Sequence, residues 1–261
     1  MRFRQVPARQ GARWVRDGLR IFMRRPLAFC VLFLLYLLVG PMLMLAVAPL
    51  ASLGFMLATR QALSGRVPTP GVFIEPLRLS APQRWAQVKL GIAYAVAIAL
   101  VLWLADSIGG VAFDALRDAV HDGRTTPADL QPLLSDPRLQ TAWLVTALGL
   151  ALVAIPFWHA PALVHWGGQG AAQSLFFSSV ACWRNKGALT VYSLGWLAVI
   201  VLFAFVSTTV LALLGVPQLA LLFFTPAALM LSAAFYASLY FTFADSFEAT
   251  PHDDSTSPET P

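Results

Sequence analysis

The chain has 261 residues, of which 58% are hydrophobic and only 12% are charged. A soluble domain carries about 25% charged residues, so this composition excludes an ordinary soluble protein and indicates side chains that face lipid. The net charge is +5, but eight of the eighteen Lys and Arg residues precede Pro26 and adjoin the first apolar run. None of the modules that read nucleic acid is visible, so no nucleic-acid partner is predicted.

Three long segments without Asp, Glu, Lys or Arg indicate the number of membrane spans. They cover 34 residues after Arg25, 45 after Arg138 and 58 after Lys186, and one span needs about 20 apolar residues. Gly40-Pro41 divides the first run into a hairpin of two short spans; one long tilted span is the alternative. The sequence therefore predicts an all-α, polytopic transmembrane helical bundle with six spans, at residues 26–39, 41–63, 85–105, 141–165, 187–214 and 217–243.

The positive charges predict the orientation of these spans. With six spans and a cytoplasmic N-terminus, 15 of the 18 basic residues lie in the cytoplasm, whereas a single first span leaves only 11 there. The positive-inside rule favours the first arrangement. We therefore expect a multi-pass protein of the bacterial cytoplasmic (inner) membrane with both termini in the cytoplasm.

Three segments are predicted outside the spans. Residues 1–25 form a cytoplasmic basic amphipathic segment, and residues 26–246 form the membrane domain. Residues 106–140 form an acidic outside loop with two short helices, the second capped at Thr126. Residues 247–261 are polar, acidic and rich in proline, which is typical of a disordered tail.

The stretch "RWVRDGLRIFMRRPLAF" belongs to a basic amphipathic helix from about Ala8 to Arg25. At 100° per residue, Gly11, Trp14, Val15, Gly18 and Phe22 share one arc. Five arginines share the opposite arc: Arg9, Arg13, Arg16, Arg20 and Arg24. We expect Trp14 to enter the headgroup level while the arginines contact anionic phosphates. A cleaved signal peptide is disfavoured because the basic region is too long; a helix that only orients the first span is the alternative.

A second amphipathic segment lies in "SLFFSSVACWRNKGAL". Trp183 is expected in the interface, with Arg184 and Lys186 on lipid phosphates; a linker helix packed across the bundle is the alternative. In "FWHAPALVHW", beside the bend expected at Pro156 and Pro161, His159 and His165 are about 240° apart on a straight helix, so they do not chelate one metal together. They are expected in an aromatic belt, with polar contact to a headgroup or substrate as the alternative.

Two stretches resemble a family of uncharacterised bacterial multi-spanning inner-membrane proteins, the BPSS-type family. The first matches through a Gly-x-x-Trp helix before an Arg-x-Pro span start, at Gly11, Trp14, Phe22, Arg24 and Pro26. The second is an Ala-Pro-Ala-Leu-Val run leading to a Ser-x-x-Ala-Cys-x-x-Asn motif; it matches at residues 160–164, Ala181, Cys182 and Asn185, with Ser179 offset by one position. The ending "YASLYFTFADSF" is similar to a Tyr-x-Ser-Tyr-x-Asp-x-Phe pattern, with Leu239 in place of the second Tyr.

The resemblance implies a location and a span layout but no reaction. A more distant resemblance, to the membrane domain of some bacterial glycerophosphodiester phosphodiesterases, implies a lipid-facing helper role, because no catalytic domain is present. Catalytic motifs are missing, and the two cysteines indicate neither a disulfide nor a metal site. No enzyme activity, cofactor or metal is predicted.

Two functions follow from these features. The leading hypothesis is a non-enzymatic component that interacts with anionic membrane lipids or scaffolds a membrane-protein partner. The alternative is a transporter or permease for a small neutral or lipid-like solute, because proline-broken spans often line cavities. Stripes of small residues are too common here to predict an oligomeric state.

Overall fold

The computed structural model describes residues 2–38, 41–121 and 127–248 and is almost entirely helical. A two-stranded antiparallel sheet pairs β1 with β2, so that Arg2 faces Glu248 and Phe3 faces Phe247. The elements are β1 (Arg2–Phe3), α1 (Gln10–Arg24), α2 (Pro26–Leu37), α3 (Pro41–Leu63), α4 (Ala81–His121), α5 (Pro127–Leu134), α6 (Pro137–Phe157), α7 (Ala160–Gly167), α8 (Ala171–Arg184), α9 (Lys186–Leu213), α10 (Ala220–Ser246) and β2 (Phe247–Glu248).

Four segments are long and apolar enough to cross a membrane: α4, the joined α6 and α7, α9, and most of α10. The chain is therefore an all-α helical membrane protein. The helix α2 is apolar but has 12 residues, about 18 Å, which is shorter than the ~30 Å hydrocarbon core. Since α2 and α3 are not among the four segments found in the described residues, the count of six spans stays a prediction.

The helix α3 forms the centre of the bundle and packs against α2, α4, α7 and α10. Leu53, Phe55, Met56 and Ala58 are completely buried, and the hydroxyl of Thr59 donates a hydrogen bond of 2.9 Å to the carbonyl of Ala237 in α10. The apolar character of this helix is therefore used largely in contacts with other helices.

Helix α4 continues through the first half of the predicted outside loop, to His121, and the position of these residues outside the membrane stays a prediction. Its 41 residues extend about 60 Å, so one end projects well beyond a hydrocarbon core. After Pro82 in its first turn no proline interrupts it, and Phe113, Leu116 and Val120 keep the helical period. Gly109 lies directly on α6, where an added Cβ would come within 2.7 Å of the Ala142 side chain. The cap expected at Thr126 lies outside the described residues.

The predicted fourth span, residues 141–165, is two helices joined at a sharp break. Helix α6 begins at Pro137 and ends at Phe157. Asp136 is its N-cap, because its carboxylate accepts a hydrogen bond from the Arg138 amide. At the break, the hydroxyl of Ser178 in α8 accepts a hydrogen bond from the His159 amide and donates one to the Ile155 carbonyl. These two backbone groups would bond each other in a continuous helix, so the inserted hydroxyl opens the helix without leaving either group unpaired.

Both described ends of the chain meet at one end of the bundle. We call it the basic end, because it carries α1, Arg60, Arg184 and Lys186. Here β2 begins directly after α10, so Phe247 and Glu248 are an ordered strand rather than part of the predicted disordered tail. The main-chain pairing with β1 accounts for this order. Residues 249–261 of that prediction lie outside the described residues.

Candidate functional site

At the basic end, α1 is wedged between α9 and α10 and buries its apolar face there. Trp14 is only 1% exposed and contacts the ring of Tyr192 edge-on, at 6.1 Å between centroids. Glycines permit this approach, because a Cβ on Gly11 would collide with the Ala188 carbonyl and one on Gly18 with the Ser238 side chain. The prediction that Trp14 enters the lipid headgroups is therefore wrong: protein, not lipid, covers this face.

A network of polar contacts holds α1 and the N-terminal strand in place. One oxygen of the Asp245 carboxylate accepts hydrogen bonds from the Trp14 indole at 2.7 Å and the Gln10 amide at 2.6 Å. The side chain of Asn185 accepts a hydrogen bond from the Val6 amide. It also donates hydrogen bonds to the Arg4 carbonyl and the Ser246 hydroxyl. Because these groups are wholly or partly buried, each bond prevents the cost of an unpaired polar group.

These contacts join the three stretches that carry the family resemblance. Trp14 comes from the first stretch, Asn185 from the second, and Asp245 and Ser246 from the third. Nothing in the sequence alone assigns a role to Asp245, and Asn185 is marked there only as part of the resemblance motif. Only the pairing across 231 residues from Trp14 reveals their shared structural role.

The opposite face of α1 is open and strongly basic. Its exposed side chains are Arg9, Arg13, Arg16, Arg20 and Arg24. Arg16 forms an ion pair with Asp17 at 3.1 Å; among the described residues, no other ion pair involves this row. The helix thus presents a row of guanidinium groups on a backbone that is fixed from behind.

The predicted Trp183–Lys186 group also lies at this end, where α8 joins α9. Trp183 is 71% exposed, and the Lys186 ammonium lies 4.7 Å from the centre of its indole ring. Arg184 lies over the ring of Phe3, at 5.1 Å. Cys182 faces inward, and burial raises the pKa of its thiol to about 12, so the thiolate is scarce at neutral pH.

The structure assigns the two histidines to different surroundings. His159 is fully buried beside the rings of Phe243 and Phe247, so it does not reach a headgroup. The Nε2 atom of His165 lies 3.8 Å from a Glu75 carboxylate oxygen, and its ring contacts Trp166. No group of three or more His, Cys, Asp or Glu side chains suited to a metal occurs in the described parts of the chain.

A cavity of about 150 Å³ lies between α3, α4, α6 and α10. Apart from Ser52, Tyr94, Trp158 and Tyr236, the residues around it are apolar, and Pro49 forms part of the wall. A transport path for a polar solute requires polar groups along a water-filled route. This cavity is small and mainly apolar, which argues against a path for a polar solute but fits a neutral or lipid-like one.

The chain is 35% identical to a probable inner membrane protein of Burkholderia thailandensis, in an alignment that covers 95% of this chain and 94% of that protein. No family model matches the sequence, and no solved structure matches it. The comparisons thus support kinship with an inner-membrane protein. They give no support to the more distant resemblance to the phosphodiesterase membrane domain.

Proposed function

Because the chain belongs to the family of the Burkholderia thailandensis probable inner membrane protein, we propose that it is a multi-pass, non-enzymatic component of the inner membrane that binds anionic lipid headgroups. The observation that carries this proposal is the row of five exposed arginines, with Arg9 at the N-cap of α1 and four within the helix, whose opposite face is packed against α9 and α10. Trp183, Arg184 and Lys186 extend the headgroup-binding surface.

Rigid placement distinguishes this surface from an ordinary charged helix. Each Lys or Arg close to an anionic membrane contributes about 1 kcal/mol. A free amphipathic helix must fold when it binds, whereas α1 is already ordered by Trp14 and Asp245. The arginines therefore bind without that ordering cost, and the packed helix keeps its charges at the membrane boundary rather than deep in the bilayer.

The proposed orientation places the basic end in the cytoplasm. The positive-inside rule favours this side for the end that carries most of the Lys and Arg residues. Anionic lipids of the cytoplasmic leaflet attract such polybasic segments, so charge and location agree. A protein partner with an acidic surface would bind the same arginines and would make the chain a scaffold.

The test is lipid retention by the purified full chain, measured by native mass spectrometry in mild detergent with added phosphatidylglycerol or phosphatidylcholine. Replacing Arg9, Arg13, Arg16 and Arg20 together with Gln should reduce the preference for phosphatidylglycerol. The matched control replaces Arg117 and Arg138, which lie at the other end of the bundle. An unchanged preference in the four-arginine variant would contradict the proposal.

The second candidate function, transport of a small neutral or lipid-like solute, rests on the cavity beside Pro49 and its two tyrosines. Retention of a non-lipid solute in the same measurement, lost when Ser52 is replaced by Phe to fill the cavity, would favour it.

A further inference from the structure

A second surface feature, an apolar groove of about 810 Å³, opens where α6, α8 and α9 meet. Each helix contributes one stripe of its surface: Ile155 from α6, Phe176 and Val180 from α8, and Leu189 and Leu194 from α9. The groove has the volume of a typical small-molecule site, ~300–1,000 Å³. Since α6 and α9 belong to candidate membrane spans, we expect the groove to lie beside lipid chains.

Among the described residues that line the groove, Lys186 is the only Lys or Arg, and it lies beside Trp183 where α8 joins α9. Residues 139–244 contain Arg184 and Lys186 but no Asp or Glu, so none of the three helices around the groove opposes this positive charge from that stretch. An apolar groove with a cation at one end matches an amphiphile that carries a negative charge at one end.

We propose that the groove binds one acyl chain of an anionic phospholipid whose phosphate contacts Lys186. The inference rests on the proposed function and deepens it, because it converts a general headgroup surface into a discrete site for one lipid. From Lys186 to Leu194 the wall extends about 12 Å along α9, so the groove holds the part of the chain nearest the headgroup.

The physical roles of the two parts of the site differ. Lipid chains elsewhere in the bilayer are as apolar as the groove, so burial of the chain adds little net affinity. The groove instead selects shape and position, and the ammonium of Lys186 supplies the preference for a negative headgroup. Loss of one such cation should weaken binding about fivefold.

The test uses dioleoyl phosphatidylglycerol and dioleoyl phosphatidylcholine, which share their chains but differ in net charge. Native mass spectrometry of the full chain should show one tightly retained phosphatidylglycerol per molecule. Lys186→Gln should weaken this retention about fivefold, and Ser193→Phe should remove it by filling the groove. The control for added bulk is Ala198→Phe, on the exposed surface of α9, and the control for lost charge is Arg117→Gln; both should retain the lipid.

The outcomes separate this inference from the function on which it rests. In one outcome, Lys186→Gln and Ser193→Phe both retain the single lipid while the four-arginine variant of α1 loses it. That result would overturn the lipid site in the groove and leave the proposed function standing. If both groove variants lose the lipid and the α1 variant retains it, the result supports the lipid site in the groove but not the headgroup surface on α1. A wild-type chain without any preference for phosphatidylglycerol would overturn both. If Ser193→Phe does not fold, Thr190→Phe fills the same groove and decides the question.

Discussion

Removal of the Asp245 carboxylate should release α1 from α10. In Asp245→Ala, the indole N–H of Trp14 and the amide of Gln10 lose an acceptor at 2.7 and 2.6 Å. Gln10 is half-buried and can turn to water, but Trp14 is buried and its N–H stays unpaired. A hydrogen bond to a charged group contributes about 1.5–3 kcal/mol, so we expect a loss of about 2–4 kcal/mol.

The assay is thermal unfolding of the purified chain in detergent, followed by intrinsic fluorescence. At ~2–4 °C per kcal/mol for a chain of this size, the midpoint should fall by about 5–15 °C. Asp245→Asn keeps an acceptor oxygen and should lose less. The matched control is Asp114→Ala, whose exposed ion pair with Arg117 contributes less than ~1 kcal/mol. If the unfolding midpoint of Asp245→Ala falls no further than that of the control, the Asp245 carboxylate does not hold α1 on α10.

The coupling between the two partners can be measured separately. Trp14→Phe keeps a six-membered aromatic ring and deletes the N–H donor together with the five-membered part of the indole. If the hydrogen bond is the link, the effects of Trp14→Phe and Asp245→Ala should fall short of additive by ~0.5–3 kcal/mol. Additive effects would instead assign the stability of this joint to ring packing alone.

Three further substitutions or modifications probe other contacts. Ser178→Ala should lower the unfolding free energy by about 1–3 kcal/mol, because it leaves the buried His159 amide at the break after α6 without its acceptor; Ser179→Ala, which removes only a bond within α8, should have little effect, and equal shifts would contradict the bridging role. Gly18→Val should displace α1 and make its arginines susceptible to trypsin, whereas Gly170→Val, with open space around it, should not; equal cleavage would argue against close packing. In a Cys30→Ser background, the Cys182 thiol stays protonated below its pKa of about 12, so maleimide at pH 8 should label it slowly when folded and rapidly after denaturation; rapid labelling of the folded chain would show that it is accessible.

Several features of the fold were predictable because they depend on local chemistry. Long charge-free segments require an apolar environment, and proline and glycine mark where helices start or stop. The period of apolar residues in "RWVRDGLRIFMRR" predicted α1, which the structure confirms at Gln10–Arg24. The break near Pro156 and Pro161 was expected for the same kind of reason, because proline cannot donate the helical hydrogen bond.

The errors arose where a second partner, distant in sequence, determines the result. Ser178 carries no local signal that it bridges Ile155 and His159, since 19 residues separate it from the histidine. The predicted outside loop carries no local signal that its first half extends a span, yet helix α4 continues from Asp106 to His121 and packs Gly109 on α6.

The sequence by itself determined that this chain is a helical membrane protein and that the residues of α1 divide into one apolar and one basic arc. The tertiary structure decided what covers each face: α9 and α10, not lipid, cover Trp14, and the same arrangement leaves the arginines exposed. The reason is that periodicity reports which side chains avoid water, whereas protein and lipid chains satisfy that requirement equally well. Only the folded neighbours, above all Asp245 beside Trp14, distinguish the two.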